Sequence, residues 1–117
     1  MQFRSYGKFP HHIFIIHGSP GAPGTLAVLG EKLGETYGVI EPFQAKESLK
    51  GQIEELYQQI TFHTDAPIIL IGHSYGAILS YIFAAKFPEK IKHLIMMSTS
   101  VMTYNAWEKI LPLRNIK

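Results

Sequence analysis

The sequence contains no cysteine. That excludes a disulfide framework, a thiolate metal site and a cysteine nucleophile, and it suits a reducing, cytoplasmic setting. It also lacks any block of like charge. Eleven Lys and Arg, scattered from Arg4 to Lys117, stand against nine acids, and the formal charge of +2 forms no stripe that would follow phosphates. Nucleic acid is therefore not an expected partner. No apolar run approaches the ~20 residues of a membrane span, and the opening MQFRSYGKFPHH has no continuous apolar stretch of about 7–15 residues as a secretory signal requires. No membrane association is expected. Repeats, low-complexity tracts and linkers are absent too, so nothing divides the chain.

What is present is a 117-residue chain, 46% hydrophobic and 17% charged, the balance of one folded domain. Short unbroken apolar runs occupy residues 13–16, 68–71 and 94–97, with a weaker one at Val39-Ile40 before Glu41-Pro42. Runs of this length without alternation predict strands covered on both faces, as in a parallel sheet. Between them lie segments of helical spacing. Leu26, Leu29 and Leu33 form one, with Thr25 as its expected N-cap and Gly38 past its end. Leu49, Ile53, Leu56 and Ile60 form a second, capped by Ser48 and left at Pro67. Ile78, Ile82 and Ala85, beside Leu79 and Phe83, form a third that stops near Phe87-Pro88. Right-handed crossovers fold this alternation into an α/β domain, a parallel sheet of about four strands with helices on both faces. After it, Tyr104, Trp107 and Leu111 recur at helical spacing, and residues 103–117 are expected to begin a lid segment.

Two glycine-bearing loops carry the chemistry. GHSYGA at 72–77 places Ser74 between Gly72 and Gly76, at the end of an apolar strand and the start of an apolar-faced helix. A serine hydroxyl needs presentation clear of the backbone, and a crowded strand-to-helix turn provides it only if the residues two before and two after are small. The amide of Tyr75, at the start of the helix, is then the natural donor to an oxyanion. The bland alternative is a serine that only turns the chain or caps the helix. His73 and Tyr75 occupy the variable positions and are expected to pack or line the pocket. HGSPG at 17–21 follows the first apolar run, where His17, Gly18 and Gly21 shape a loop that brings the Ser19 amide forward as the second donor.

With these loops, YGVIEPFQ at 37–44 and FPEKIKHLIMMST at 87–99, the sequence resembles the α/β-hydrolase superfamily over about residues 11–102, in particular lid-bearing members similar to proline iminopeptidases and small esterases. The resemblance implies Ser74 as nucleophile, an oxyanion hole from the Tyr75 and Ser19 amides, and strands in the order 4-3-5-6 of the family's counting. It implies acyl transfer to water, on an ester, amide or aminoacyl substrate, without metal or other cofactor. It speaks against epoxide hydrolases and haloalkane dehalogenases, which carry aspartate at the nucleophile position.

In that family the catalytic acid and histidine follow the sixth strand. Here the family's first two strands are missing or reduced to the residues before Phe9, and only the amino-terminal part of the core is expected, truncated and inactive alone. His11, His12, His63 and His93 fall at the end of the sheet away from Ser74. His17 and His73 fall at the near end but are built into their motifs. The second reading is a non-catalytic binding or assembly module whose uncovered edge strands drive self-association.

Overall fold

The computed structural model describes residues 2–17 and 26–97. Along the chain these form β1 (Phe3–Tyr6), β2 (His11–Ile16), α1 (Ala27–Gly34), β3 (Gly38–Pro42), α2 (Leu49–His63), β4 (Ile68–His73), α3 (Tyr75–Lys86), a short 3-10 turn (Pro88–Lys90) and β5 (Ile91–Met97). The four apolar runs are strands, parallel to one another in the order β3-β2-β4-β5, which is the expected 4-3-5-6. A fifth strand, β1, lies antiparallel on β3, with Phe3 opposite Pro42 and Tyr6 opposite Val39. Pattern alone does not reveal β1, because an edge strand with three exposed residues out of four carries no apolar run.

Alternation along β2 sorts the core into two layers. Phe14 and Ile16 face the side where α2 contributes Ile53, Leu56 and Ile60 and α3 contributes Leu79 and Phe83. Ile13 and Ile15 face the side of α1, with Leu26, Val39 and Ile71. Burying each such side chain contributes about 1.5–3 kcal/mol, so the two clusters fix which helix lies on which face. Helix ends follow local chemistry. The Ser48 hydroxyl accepts the Gly51 amide at 3.0 Å and starts α2 as expected. The cap position of α1 is Leu26, which has no side-chain bond to give, rather than Thr25, which lies outside the described residues. The 103–117 segment also lies outside them.

β3 is stronger than its sequence suggests, since all five of its residues are buried, Glu41 included. The Glu41 carboxylate accepts the Tyr6 phenol at 2.9 Å, which ties β1 to β3 through their side chains as well as their ladder. β5 departs the other way. Its apolar run is covered on both faces only in part, and Ile95 and Met96 are 46% and 55% exposed at the sheet's edge. Among the described residues no helix is long and apolar enough to cross a membrane.

Candidate active site at the carboxyl edge of the sheet

β4 ends at His73 and α3 begins at Tyr75, so Ser74 alone makes the junction. Its backbone stands at φ 60, ψ −125, and it is the only non-glycine residue of positive φ among the described residues. For a residue with a Cβ this conformation costs about 1–3 kcal/mol, so its surroundings must hold it. Two glycines let them. A Cβ on Gly72 would run into the Gly76 carbonyl and lie 2.6 Å from Cα of Ala77, and one on Gly76 would run into the Ile16 carbonyl and lie 2.5 Å from that of His17. The first turn of α3 therefore rests directly on the end of β2, whose Ile16 pairs with Gly72.

Ser74 and Ser48 precede helices in different ways. Ser48 is extended, at φ −85 and ψ 151, and its hydroxyl caps the helix. Ser74 makes no capping bond with its side chain. The turn closes instead through the backbone, where the Ala77 amide donates to the Ser74 carbonyl at 2.9 Å. The preceding amides of Tyr75 and Gly76 belong to the first turn, where helix geometry supplies no acceptor and the dipole favours negative charge.

The remaining candidates distribute unevenly. His17 follows β2 at the same edge, 3% exposed, with its ring 5.9 Å from that of Phe43. The Arg4 guanidinium lies 5.8 Å from the Phe43 ring centre. His73 is half-buried on β4, its Nδ1 without a hydrogen bond. Gly18, Ser19 and Gly21 lie outside the described residues, so the second donor loop is described only at His17. The other histidines sit at the far end: His11 and His12 open β2, His93 lies at the start of β5 opposite Ile69, and His63 closes α2 among Phe3, Phe14 and Phe62. Burial, and secondarily the charge of His11, pulls the His63 pKa below 6.5. A surface cavity of about 580 Å³, lined by Lys8, His12, Tyr37, Pro67 and Lys92 among others, opens at that far end and has no part in the serine turn. Among the described residues no three His, Asp or Glu gather as a metal would need.

One feature of the site escaped sequence reasoning. Three polar residues of α2 grip the loop between β3 and α2. Gln52 Nε2 donates to the Lys46 carbonyl at 3.0 Å, Gln59 Nε2 to the Phe43 carbonyl at 2.9 Å, and the Glu55 carboxylate accepts the Ala45 amide at 2.9 Å. Gln52 and Gln59 are 3% and 2% exposed. The available signal was uncharged glutamine at helical spacing beside Ile53, Leu56 and Ile60, where an exposed face favours Lys or Glu.

A largely parallel α/β sheet, with one antiparallel edge strand and a strained serine at the carboxyl end of an inner strand, belongs to a class of open-sheet folds whose sites lie along that edge. The family model described as alpha/beta hydrolase fold matches residues 45–114, more than half of the sequence, and the chain belongs to that family. No curated protein matches it. Solved structures with the same fold include a marine microorganism esterase, 24% identical over 99% of this chain and 51% of its own, with a TM-score of 0.69. The thioesterase domain from the curacin biosynthetic pathway is 23% identical over 95% of this chain and 49% of its own, with a TM-score of 0.71. An epoxide hydrolase from Vigna radiata is 20% identical over 80% of this chain and 35% of its own, with a TM-score of 0.70. At such identities the likeness is one of fold, which serves more than one chemistry. The chain spans about half, or less, of the length of these structures.

Proposed function

We propose that these residues supply the nucleophile side of a serine hydrolase site, with Ser74 Oγ attacking an acyl carbonyl and the Tyr75 and Ser19 amides receiving the oxyanion. The observation that carries the reading is the Ser74 backbone, held at positive φ by two close-packed glycines while its hydroxyl caps nothing. A residue needed only to turn or cap would relax into the geometry Ser48 adopts. Ester, amide and aminoacyl substrates fit this chemistry. Serine rather than aspartate at position 74 favours acyl transfer over the chemistry of an epoxide hydrolase.

The base is a separate matter. Four of the six histidines lie at the far end of the sheet, and His17 and His73 belong to the turns themselves, so the catalytic acid and histidine are proposed to come from other polypeptide. The 117 residues alone are then inactive, since removing a triad member leaves only binding and oxyanion stabilisation. An added base tests both halves of this reading. With p-nitrophenyl acetate and imidazole, imidazole takes the Ser74 proton, the acetyl group passes to Oγ and p-nitrophenolate leaves. Mass spectrometry should find the acetyl group on the peptide bearing Ser74 and not on that of Ser74→Ala. Indiscriminate acetylation of serines would sink the nucleophile, and Ser74-dependent turnover without imidazole would sink the missing base. The exposed apolar edge of β5 supports the second reading, a binding or assembly module.

A further inference from the structure

The geometry points to Gln52 as a positioning residue that sets the Tyr75 peptide through the Tyr75 phenol, an inference that rests on the serine-hydrolase reading for its catalytic meaning. The Tyr75 hydroxyl donates to Gln52 Oε1 at 2.5 Å, and Gln52 Nε2 donates to the Lys46 carbonyl at 3.0 Å. Both ends of the amide are thereby engaged inside a side chain that is 3% exposed, where an unmade bond is costly. The rest of the Tyr75 side chain packs against the core layer containing Ile53, Leu56 and Leu79. Tyr75 is thus fixed at its tip by α2 and along its ring by the core. Its own amide is the proposed oxyanion donor, and it adjoins the one strained backbone position described.

The strut has a footing of its own. The loop that receives the Gln52 donor is clamped by Glu55, which accepts the Ala45 amide at 2.9 Å and the Lys46 amide at 3.3 Å. Gln59 holds the same loop at Phe43, whose ring faces His17. α2 therefore links the serine turn to the loop beside it, and a strained turn keeps its geometry because its neighbours are not free to move. Gln52 touches no reacting atom in this scheme. It acts on the direction of the Tyr75 N–H, and small misplacements of such donors are expensive in rate.

The test uses the full 117-residue chain with Gln52→Met, which keeps the volume, with Tyr75→Phe, and with both. Two readouts are taken under native conditions, the rate of Ser74 acetylation in imidazole and hydrogen exchange at the Ala77 amide, which donates to the Ser74 carbonyl at 2.9 Å, with thermal midpoints measured alongside. Each single variant should slow acetylation about ten- to a hundredfold, and the double variant should be no slower than either. Exchange at Ala77, whose amide closes the turn on the Ser74 carbonyl, should quicken in both while amides of β2 and β4 keep their protection. Additive losses, or unchanged exchange at Ala77 in Gln52→Met, would overturn the role. If the unsubstituted chain acquires no acetyl group at Ser74, the nucleophile reading fails, and the amide exchange still decides whether Gln52 sets the turn.

Discussion

His63 closes α2 with Phe3 packed edge-on at 4.5 Å and Phe14 at 5.7 Å, a setting that disfavours a charged imidazole. The folded chain therefore holds it neutral to lower pH than the unfolded chain, in which the group titrates near 6.5. Over that interval unfolding takes up a proton, so stability falls as pH drops below about 6.5 and this contribution levels off below the folded pKa. Charge on the neighbouring His11 adds to the penalty. In His63→Phe the urea midpoint should vary less between about pH 7 and pH 5 than in the parent chain. Parallel curves would mean that another group carries the acid sensitivity. At this scale the sequence told much about the turn at Ser74, because small residues at fixed offsets between an apolar strand and a helix mark a crowded junction. It told little about Gln52 or Glu41, since burial of a polar side chain depends on partners from distant segments: Tyr75 for one and Tyr6 for the other.

Among the elements, α1 is the least self-sufficient, eight residues long without a side-chain cap. Its hold on the sheet runs partly through Gly30, where the Tyr6 ring occupies the space a side chain would take. Propensity alone would have Gly30→Ala stabilise the helix by about 1 kcal/mol. Here the new Cβ would sit 2.5 Å from Cε2 of Tyr6 and 2.7 Å from Cζ. The ring must yield, and with it the phenol bond to the fully buried Glu41, at a cost of about 1–3 kcal/mol before any loss of packing. The expected outcome is net destabilisation in urea. Combined with Tyr6→Ala, the same change should turn stabilising, since the obstacle is gone. Such contacts explain which elements were legible. α2 read cleanly because Ile53, Leu56 and Ile60 form a buried apolar stripe, and the three long runs read cleanly as strands. α3 was legible as a helix but not by its face: Leu79 and Phe83 are buried, while Ile78 and Ala85 of the expected stripe are exposed. β1 and the true start of α1 are set by what they pack against, and periodicity cannot report that.

For the whole molecule the consequential feature is that the two margins of the sheet differ. β1 is four residues long and presents Arg4 and Ser5, which discourages further pairing. β5 is seven residues long, and among the described residues no strand lies on its outer side. Its exposed side chains include Ile95 and Met96, apolar surface next to unpaired backbone donors and acceptors. Edges of this kind recruit another strand. The purified chain should therefore associate as its concentration rises, with light scattering reporting a mass above that of the 13.2 kDa monomer. Ile95→Lys places a charge on that edge and should shift the association to higher concentration while leaving the circular dichroism unchanged. A monomer throughout the concentration series would remove the edge as a driver of assembly, and with it the main support for a binding module. Association that Ile95→Lys suppresses, in a chain whose Ser74 takes no acetyl group in imidazole, would favour that module over the hydrolase.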